Sequence, residues 1–373
     1  MLKSLNFIDL AAQQKRLSKK ITNRIDKVLS HGKYIMGPEV RELEKSLADY
    51  IGANNVISCG SGTDALVLAL MAYDIGPGDI VFCPAFTFPA TAESIAILGA
   101  RPYFIDVEED TFNISISSLN EAIKDVIKEG KYNMKAIIAV DLYGLPADYN
   151  NLIKISKTYN LKLISDAAQS FGAIYNSKKV GSLADITCVS FFPAKPLGCY
   201  GDGGAIITNN NKIAEKIKSL RVHGKGKSKY DIDLIGMNSR LDTIQAAVLL
   251  AKLEDFDWEF NKRNELADNY NKSLSGYIEV PYIPESCKSI WAQYTLKHKD
   301  REEIQKNLNN IGIPTMVYYP VPMHLQKAYK KYYRGGLENS EKLSKEVFSI
   351  PMYPDMLIED QKYIIENIIK IVG

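Results

Sequence analysis

The stretch Ser190-Phe191-Phe192-Pro193-Ala194-Lys195-Pro196-Leu197-Gly198-Cys199-Tyr200-Gly201-Asp202-Gly203-Gly204 decides how the rest of the chain is read. It sets a single lysine, Lys195, between two apolar, strand-like runs, Ile186 to Phe192 and Ala205 to Thr208, in a loop crowded with Gly and Pro. Gly and Pro fix an irregular backbone and let other groups approach it closely. An ordinary surface lysine needs no such surroundings, so Lys195 is a candidate functional amine.

Working outward, Leu161-Lys162-Leu163-Ile164-Ser165-Asp166 reads as an apolar strand ending in an acid. A carboxylate at the carboxyl end of a strand in an α/β sheet points at the crevice where ligands bind. Val56-Ile57-Ser58-Cys59-Gly60-Ser61-Gly62-Thr63-Asp64-Ala65 reads as a short strand, a Gly-rich turn and the start of a helix. That arrangement aims free backbone N–H groups at an anion, typically a phosphate. An amine, a buried acid and a phosphate cradle are together the parts needed to hold pyridoxal 5'-phosphate. In that reading Lys195, deprotonated, joins the cofactor aldehyde and moves the proton between substrate and cofactor carbons, and Asp166 keeps the pyridine nitrogen protonated so that the ring is an electron sink.

Gly60 to Ala65 also satisfies the G-x-G-x-x-A dinucleotide fingerprint, but that fold needs an acid at the end of the next strand. Ile80-Val81-Phe82-Cys83 instead runs into Pro84, and Asp79 sits at the strand's other end. A Walker loop fails because Arg221 stands where the first Gly before Gly226-Lys227-Ser228 is required.

Composition is that of an ordinary globular chain of 373 residues, and 46 Lys+Arg against 44 Asp+Glu leaves a net charge of +2. Such a balance gives no footprint for nucleic acid or an acidic membrane. The 5 Cys are odd in number and never paired as C-x-x-C, so a reducing compartment is expected and neither a disulfide framework nor a zinc knuckle is suggested. Met1 to Asp9 shows no long apolar core, the apolar run near Ala65 to Tyr73 is too short to span a bilayer, and cytoplasm is the expected location. His and carboxylates nowhere take metal-ligand spacing.

In chain order, residues 12–31 and the segment after Gly37-Pro38 read as packing helices, the second with Val40, Leu43, Leu47 and Tyr50 on one face. From Val56 strands and helices alternate, which predicts a largely parallel sheet covered on both faces. After Asp166 the helices stop while apolar runs continue at 186–192 and 204–208, so part of the sheet is expected to be antiparallel. Leu241 to about Tyr270 reads as a long helix or helix pair. Beyond it, strands near 293–297 and 314–319 and helices near 301–311 and 339–348 predict a smaller α+β unit. Glu108-Glu109-Asp110 reads as a solvated turn and Lys330-Lys331-Tyr332-Tyr333-Arg334 as a basic surface stretch.

Three blocks, Ser190 to Thr208, Asp166 to Ala173, and Gly236-Met237-Asn238-Ser239-Arg240-Leu241-Asp242-Thr243-Ile244-Gln245-Ala246-Ala247, resemble the signature blocks of the DegT/DnrJ/EryC1/StrS family. The match runs in order from Phe7-Ile8-Asp9-Leu10 to Ile350-Pro351-Met352-Tyr353-Pro354. The family comprises pyridoxal-phosphate aminotransferases acting on nucleotide-linked keto sugars. The resemblance implies an α/β fold of the aspartate-aminotransferase type (fold type I), with a mixed, mostly parallel sheet. It places a large cofactor-binding domain with N-terminal helices at 1–255 and a small C-terminal α+β domain at 256–373.

By the same resemblance Gly62, Thr63, Asp64 and Ser190 hold the phosphate, Gln169 the ring hydroxyl and Phe88 the ring face, with Phe86 left as core. Asn238 reaches the phosphate of the other subunit's cofactor, which implies a homodimer with shared active sites. Arg240 offers a planar donor for a carboxylate or phosphate. The late segment with Tyr318, Tyr319 and His324 resembles one that enters the partner's site. Two positions depart from the pattern: Tyr318 stands where relatives often have His, and Asp141 where they have His or Ser. His223 matches a family His and reads here as structural. The implied reaction passes nitrogen from L-glutamate, released as 2-oxoglutarate, to the keto sugar. Around Lys195, in Asn238 to Asp242 and in Gln293-Tyr294-Thr295 the similarity runs nearest to the UDP-2-acetamido-2-deoxy-3-oxo-glucuronate aminotransferases, which implies amination at C3 for a surface polysaccharide or lipopolysaccharide precursor. A dTDP-3-keto or UDP-4-keto-6-deoxy sugar is the alternative. Sugar dehydratases of the family replace the lysine by His, and a regulatory role would call for a basic face or a helix-turn-helix; neither fits this chain.

Overall fold

Ala136-Ile137-Ile138-Ala139-Val140 is an unbroken apolar run with every residue buried. A strand of that kind has no solvent face and needs cover on both sides. The computed structural model, which describes residues 5–228 and 230–373, supplies it with a seven-stranded sheet between helical layers. Met1-Leu2-Lys3-Ser4, part of the stretch read for a leader, lies outside the described residues.

The strands are β1 (Asn55–Cys59), β2 (Asp79–Pro84), β3 (Arg101–Ile105), β4 (Asn133–Val140), β5 (Lys162–Asp166), a short ribbon of β6 (Ile174–Tyr175) and β7 (Lys178–Lys179), then β8 (Ile186–Ser190) and β9 (Gly204–Thr208). The large sheet has the order β1-β9-β8-β5-β4-β2-β3. β8, β5, β4, β2 and β3 run parallel, while β9 lies antiparallel to both β8 and β1. The expected antiparallel element is therefore a single inverted strand. It sends the chain back through the sheet immediately after the loop that holds Lys195.

The helices are α1 (Leu10–His31), α2 (Pro38–Ile51), α3 (Gly62–Ala72), α4 (Pro89–Ile97), α5 (Ile116–Glu129), α6 (Tyr149–Thr158), α7 (Asn211–Leu220), α8 (Thr243–Leu253) and α9 (Phe256–Leu274). One face of the sheet, through Ile57, Val81, Ile138, Ile164, Cys188 and Ile206, packs on α3, α4 and α7. The other face divides, with Val56, Val189 and Ile207 under α2 and α8, and Phe82, Ile137 and Leu163 under α5 and α6. Helix α1 starts at Asp9, whose carboxylate accepts from Ala12 N at 2.9 Å, and it buries Leu17 and Ile21 against Val248 and Ala251 of α8.

The expected boundary at 255/256 falls in the short break between α8 and α9. Beyond it come β10 (Cys287–Lys288), which pairs with β6, then β11 (Tyr294–Lys297), α10 (Arg301–Asn310), α11 (Glu338–Glu346), β12 (Val347–Ile350) and α12 (Ile358–Val372). Leu266, Tyr270, Tyr294, Leu308, Phe348 and Ile364 form the core of this part. Two expectations need correction. Residues 314–319 make one bridge, Met316 to Ser349, and no strand. The helix expected to 348 stops at Glu346, because Val347-Phe348-Ser349-Ile350 is a β-branched and aromatic run that pairs with β11.

The segment between them folds back over the large sheet. Ser340 N and Oγ donate to Asp106 Oδ1 at 2.8 and 2.6 Å, Asn339 N donates to Oδ2 at 2.9 Å, and Met323 N donates to Ala85 O at 2.8 Å. These bonds to the ends of β2 and β3 bring Tyr318 and Tyr319 over the carboxyl edge of the sheet.

At that edge the backbones of β9 and the turn before α3 touch: a Cβ on Gly204 would stand 2.3 Å from Ser61 O and 2.9 Å from Gly62 N. Gly204→Ala is expected to cost about 1–3 kcal/mol through this overpacking. The check is the urea midpoint at unchanged slope, and a midpoint equal to that of the native chain would contradict the contact.

Candidate active site

Six of the seven strands of the large sheet point their carboxyl ends at one edge, and there lies a cavity of about 430 Å³. Its walls come from the residues that follow those ends: Ser61, Gly62 and Thr63 after β1, Thr87 and Phe88 after β2, Asp166 and Gln169 at β5, Ser190 and Lys195 after β8. Its size suits a cofactor with part of a substrate.

The phosphate end is built from contacts. A Cβ on Gly62 would meet Ser190 Cβ at 2.6 Å, so only Gly lets the turn lie against the end of β8. Gly62 and Thr63 occupy the first turn of α3, where amides lack intrahelical partners and the helix dipole favours an anion. Asp64 is turned away from the cavity: its N–H caps onto Ser61 Oγ at 3.0 Å, and its carboxylate accepts from Ser239 Oγ at 2.7 Å. The expected phosphate contact from Asp64 is thereby corrected, because its amide and its carboxylate are already engaged in holding the turn.

Asp166, only 6% exposed, accepts from Thr91 Oγ1 at 2.8 Å and from Ala168 N at 3.3 Å. Burial raises its pKa, and the Thr91 hydroxyl, the Ala168 amide and the charge of Lys195 oppose that shift. Lys195 lines the same cavity, and burial lowers its pKa from the ordinary 10.5 against the opposing pull of Asp166. A lysine held in this state reaches the neutral, nucleophilic form at a lower pH than a free one. Thr87 extends the chain, its hydroxyl 2.9 Å from that of Thr91.

Gln169 is buried with both amide atoms engaged, Oε1 accepting from Tyr143 N at 2.6 Å and Nε2 donating to Tyr319 OH at 3.1 Å. The second Nε2 hydrogen and the second Oε1 lone pair stay available to a cofactor ring. Phe88 caps α4 at the mouth and is 56% exposed, with its ring 6.1 Å from that of Tyr319. Phe86 is fully buried core, as expected.

Tyr318 and Tyr319 line this chain's own cavity, and Tyr143 OH donates to the Tyr318 carbonyl and helps to fix them there. His324 is fully buried, with Nε2 3.1 Å from Glu341 Oε1 and its ring stacked on Tyr333 at 4.7 Å. It cannot touch a substrate in the cavity and is withdrawn as a substrate contact. Asn238 and Arg240 flank Ser239, which is docked behind the phosphate turn, and neither lines this cavity. Asp141 is also buried outside it, accepting from Ser170 Oγ, Ala147 N and Tyr149 OH, and burial pushes its carboxyl up to about 7. Sequence reasoning assigned no role to Thr87, Thr91, Ile8 or Gln293. Thr87 and Thr91 carried a usable signal, being four residues apart at the start of a helix after a strand end, whereas Ile8 and Gln293 entered only as parts of the stretches that carry the family resemblance.

The model of the DegT/DnrJ/EryC1/StrS aminotransferase family matches residues 15–369. The chain belongs to that family. It is 45% identical to the UDP-2-acetamido-2-deoxy-3-oxo-D-glucuronate aminotransferase of Pseudomonas aeruginosa over 94% of this chain and 95% of that one. It is 39% identical to the dTDP-3-amino-3,6-dideoxy-alpha-D-galactopyranose transaminase of Aneurinibacillus thermoaerophilus, over 97% and 98%. Among solved structures, a DegT DnrJ EryC1 StrS aminotransferase from Brucella abortus superposes with TM-score 0.98 at 46% identity, covering 99% of this chain and 100% of that one. NtdA from Bacillus subtilis, solved with bound cofactor PMP, superposes with TM-score 0.92 at 32% identity, covering 100% and 86%. This DegT/DnrJ/EryC1/StrS member is thus a pyridoxal-phosphate aminotransferase of fold type I, and the Gly62 cradle, the amine of Lys195 and the buried acid at 166 fit the cofactor's phosphate, aldehyde and ring nitrogen.

Thr91→Val keeps the shape of the side chain and removes the donor to Asp166. Cofactor affinity is expected to fall about tenfold, the worth of one hydrogen bond to a charged group, as read by fluorescence titration. Unchanged affinity would show that Thr91 only packs. The Lys195 amine of the cofactor-free protein is expected to react with an acylating reagent with a midpoint below pH 10.5. Because the Asp166 charge favours the ammonium, Asp166→Asn should move that midpoint lower still. A midpoint that rises in the variant would contradict the assigned pairing.

Proposed function

We propose that this enzyme transfers the amino group of L-glutamate to C3 of a UDP-linked 3-keto sugar, in the cytoplasm, to supply a precursor of a surface polysaccharide. The observation that carries the chemistry is Lys195 and Asp166 facing one cavity, beside a phosphate turn closed against Ser190. The sugar is inferred from the identity to the Pseudomonas aeruginosa relative over nearly the full length of both chains.

Pyridoxal phosphate, when bound, supplies an electron sink that lets a proton leave carbon next to nitrogen. The chain's own residues do the rest. Lys195 would hold the cofactor through its amine and would serve as the base that moves a proton at the reacting carbon. Burial lowers its pKa, which favours the neutral amine that acts as a base. Asp166 fixes the charge on the ring nitrogen, and Thr91 and the Ala168 amide orient its oxygens. Gly62, Thr63 and Ser190 bind the phosphate, and Gln169 and Phe88 bound the ring. Tyr318 and Tyr319 form the wall at which the sugar arrives.

A homodimer is part of the reading. Tyr34, Ile35, Phe88, Phe192 and Tyr200 are large apolar side chains left exposed, and Ile235 is 92% exposed close to Asn238 and Arg240. Large apolar side chains left exposed in this number suit a chain that is covered by another. Asn238 and Arg240, turned from their own cavity, are assigned to the neighbouring subunit's phosphate and substrate. The 39% identity to the Aneurinibacillus thermoaerophilus transaminase keeps a dTDP-linked 3-keto sugar as the second reading.

The deciding assay incubates the reconstituted enzyme with L-glutamate and a panel of UDP- and dTDP-linked 3-keto and 4-keto sugars. The UDP-3-keto sugar is expected to be aminated with release of 2-oxoglutarate, and Lys195→Ala to lose at least ~10³-fold in turnover. Amination confined to 4-keto sugars, or full turnover by the Lys195 variant, would overturn the reading.

A further inference from the structure

Gln293 stands in the cavity wall with its side-chain oxygen, Oε1, buried and without a hydrogen-bond partner. Among the described residues only one other buried side-chain oxygen, Thr187 Oγ1, lacks a partner, and Thr187 does not border the cavity. Buried oxygens are almost always satisfied, and an exception at a binding site calls for an explanation.

The backbone under Gln293 is held from several sides. Ile290 N donates to Gly144 O at 3.1 Å and Ala292 N to Tyr143 O at 2.9 Å. The two segments lie so close that a Cβ on Gly144 would stand 2.9 Å from the amides of Trp291 and Ala292. Trp291 N donates to Ser289 Oγ at 2.9 Å, and Trp291 O accepts from the buried Arg263 at 3.1 Å. Tyr143 itself donates its amide to Gln169. The backbone that carries Gln293 is therefore fixed relative to the cofactor wall.

We infer that Gln293 is a specificity residue for the sugar half of the reaction, its Oε1 accepting a hydrogen bond from a hydroxyl or amide N–H of the bound keto sugar. The inference rests on the reading that one substrate is a keto sugar. An oxygen acceptor discriminates between the two substrates by chemistry. L-glutamate presents carboxylates, which are acceptors, and its one amino group is consumed at the reacting carbon. A sugar presents hydroxyls and, where acylated, amide N–H groups, all of them donors.

The test follows each half-reaction separately on the holoenzyme by cofactor absorbance, in Gln293→Leu and Gln293→Glu. Leu removes the acceptor at similar volume; Glu keeps an acceptor. In Gln293→Leu, kcat/KM for the keto sugar is expected to fall about 10- to 100-fold and to fall at least about tenfold more than that for L-glutamate. Gln293→Glu should recover most of the sugar half-reaction. The dissociation constant of the aminated sugar, measured by calorimetry, should rise in Gln293→Leu in step with the kinetic loss. Equal losses in both halves, or no loss in either, would overturn the role of Gln293. Failure of the unaltered enzyme to aminate any keto sugar would instead overturn the proposed substrate class.

Discussion

A carboxylate buried at the end of a strand, with one lysine amine for a counter-charge, is the constraint on which this structure turns. Burial alone would drive Asp166 toward its neutral form. Thr91, the Ala168 amide and Lys195 oppose that drift with two hydrogen bonds and one charge. The same burial drives Lys195 toward its neutral form. The shift of Lys195 favours an amine ready to attack an aldehyde, whereas that of Asp166 works against ionisation, and on the proposed reading a protonated ring nitrogen would complete its ionised form. On the proposed reading the ring nitrogen would add a second positive charge to that of Lys195, so cofactor binding and ionisation of Asp166 would reinforce one another.

Holding the pair in register requires the inverted strand β9. In an all-parallel sheet the chain leaving β8 would run into a helix crossover and carry any lysine away from the edge. Here the loop from Phe191 to Gly203 turns at the carboxyl edge and returns directly as β9. Phe191 N accepts this geometry by donating to Gly203 O at 2.8 Å, and Cys199 N donates to Phe191 O at 2.8 Å. Gly204 then passes under the phosphate turn at a distance that only Gly tolerates. The density of Gly and Pro around Lys195 has its physical reason in this reversal and not in flexibility.

Those same local demands explain what the sequence disclosed. Lys195, Asp166 and the Gly60-Ser61-Gly62 turn were legible because each combines an unusual residue with a strand end, and the alternation of strands and helices gave the sheet. Asp64 misled because position in a cradle does not say which groups are already spent on the turn itself. His324 misled because a motif fixes an order along the chain and not a depth, and its burial against Tyr333 and Glu341 arises from a segment 233 to 238 residues further along the chain folding onto Ala85 and Asp106. β12 was lost in a helix because charged residues before it keep helical spacing, and only pairing with β11 reveals the strand. Gln293 stood out only within a stretch of family resemblance and with no role attached, since its meaning lies in a partner it lacks.

Distance along the chain is bridged at the site mainly by Gln169. Its oxygen accepts from Tyr143 N and its nitrogen donates to Tyr319 OH, while the Tyr143 carbonyl accepts from Ala292 N and its hydroxyl reaches the Tyr318 carbonyl. One amide side chain therefore ties the end of β5 to the wall carrying Gln293 and to the late segment carrying the two tyrosines. A carboxylate at this position could accept from Tyr143 but, when ionised, could not donate to Tyr319. An aliphatic residue could do neither and would leave a buried amide unpaired. On the proposed reading Gln169 would border the cofactor and also set where the substrate contacts stand, so the geometry of nitrogen transfer and the recognition of the acceptor would be fixed together by one hydrogen-bonded network.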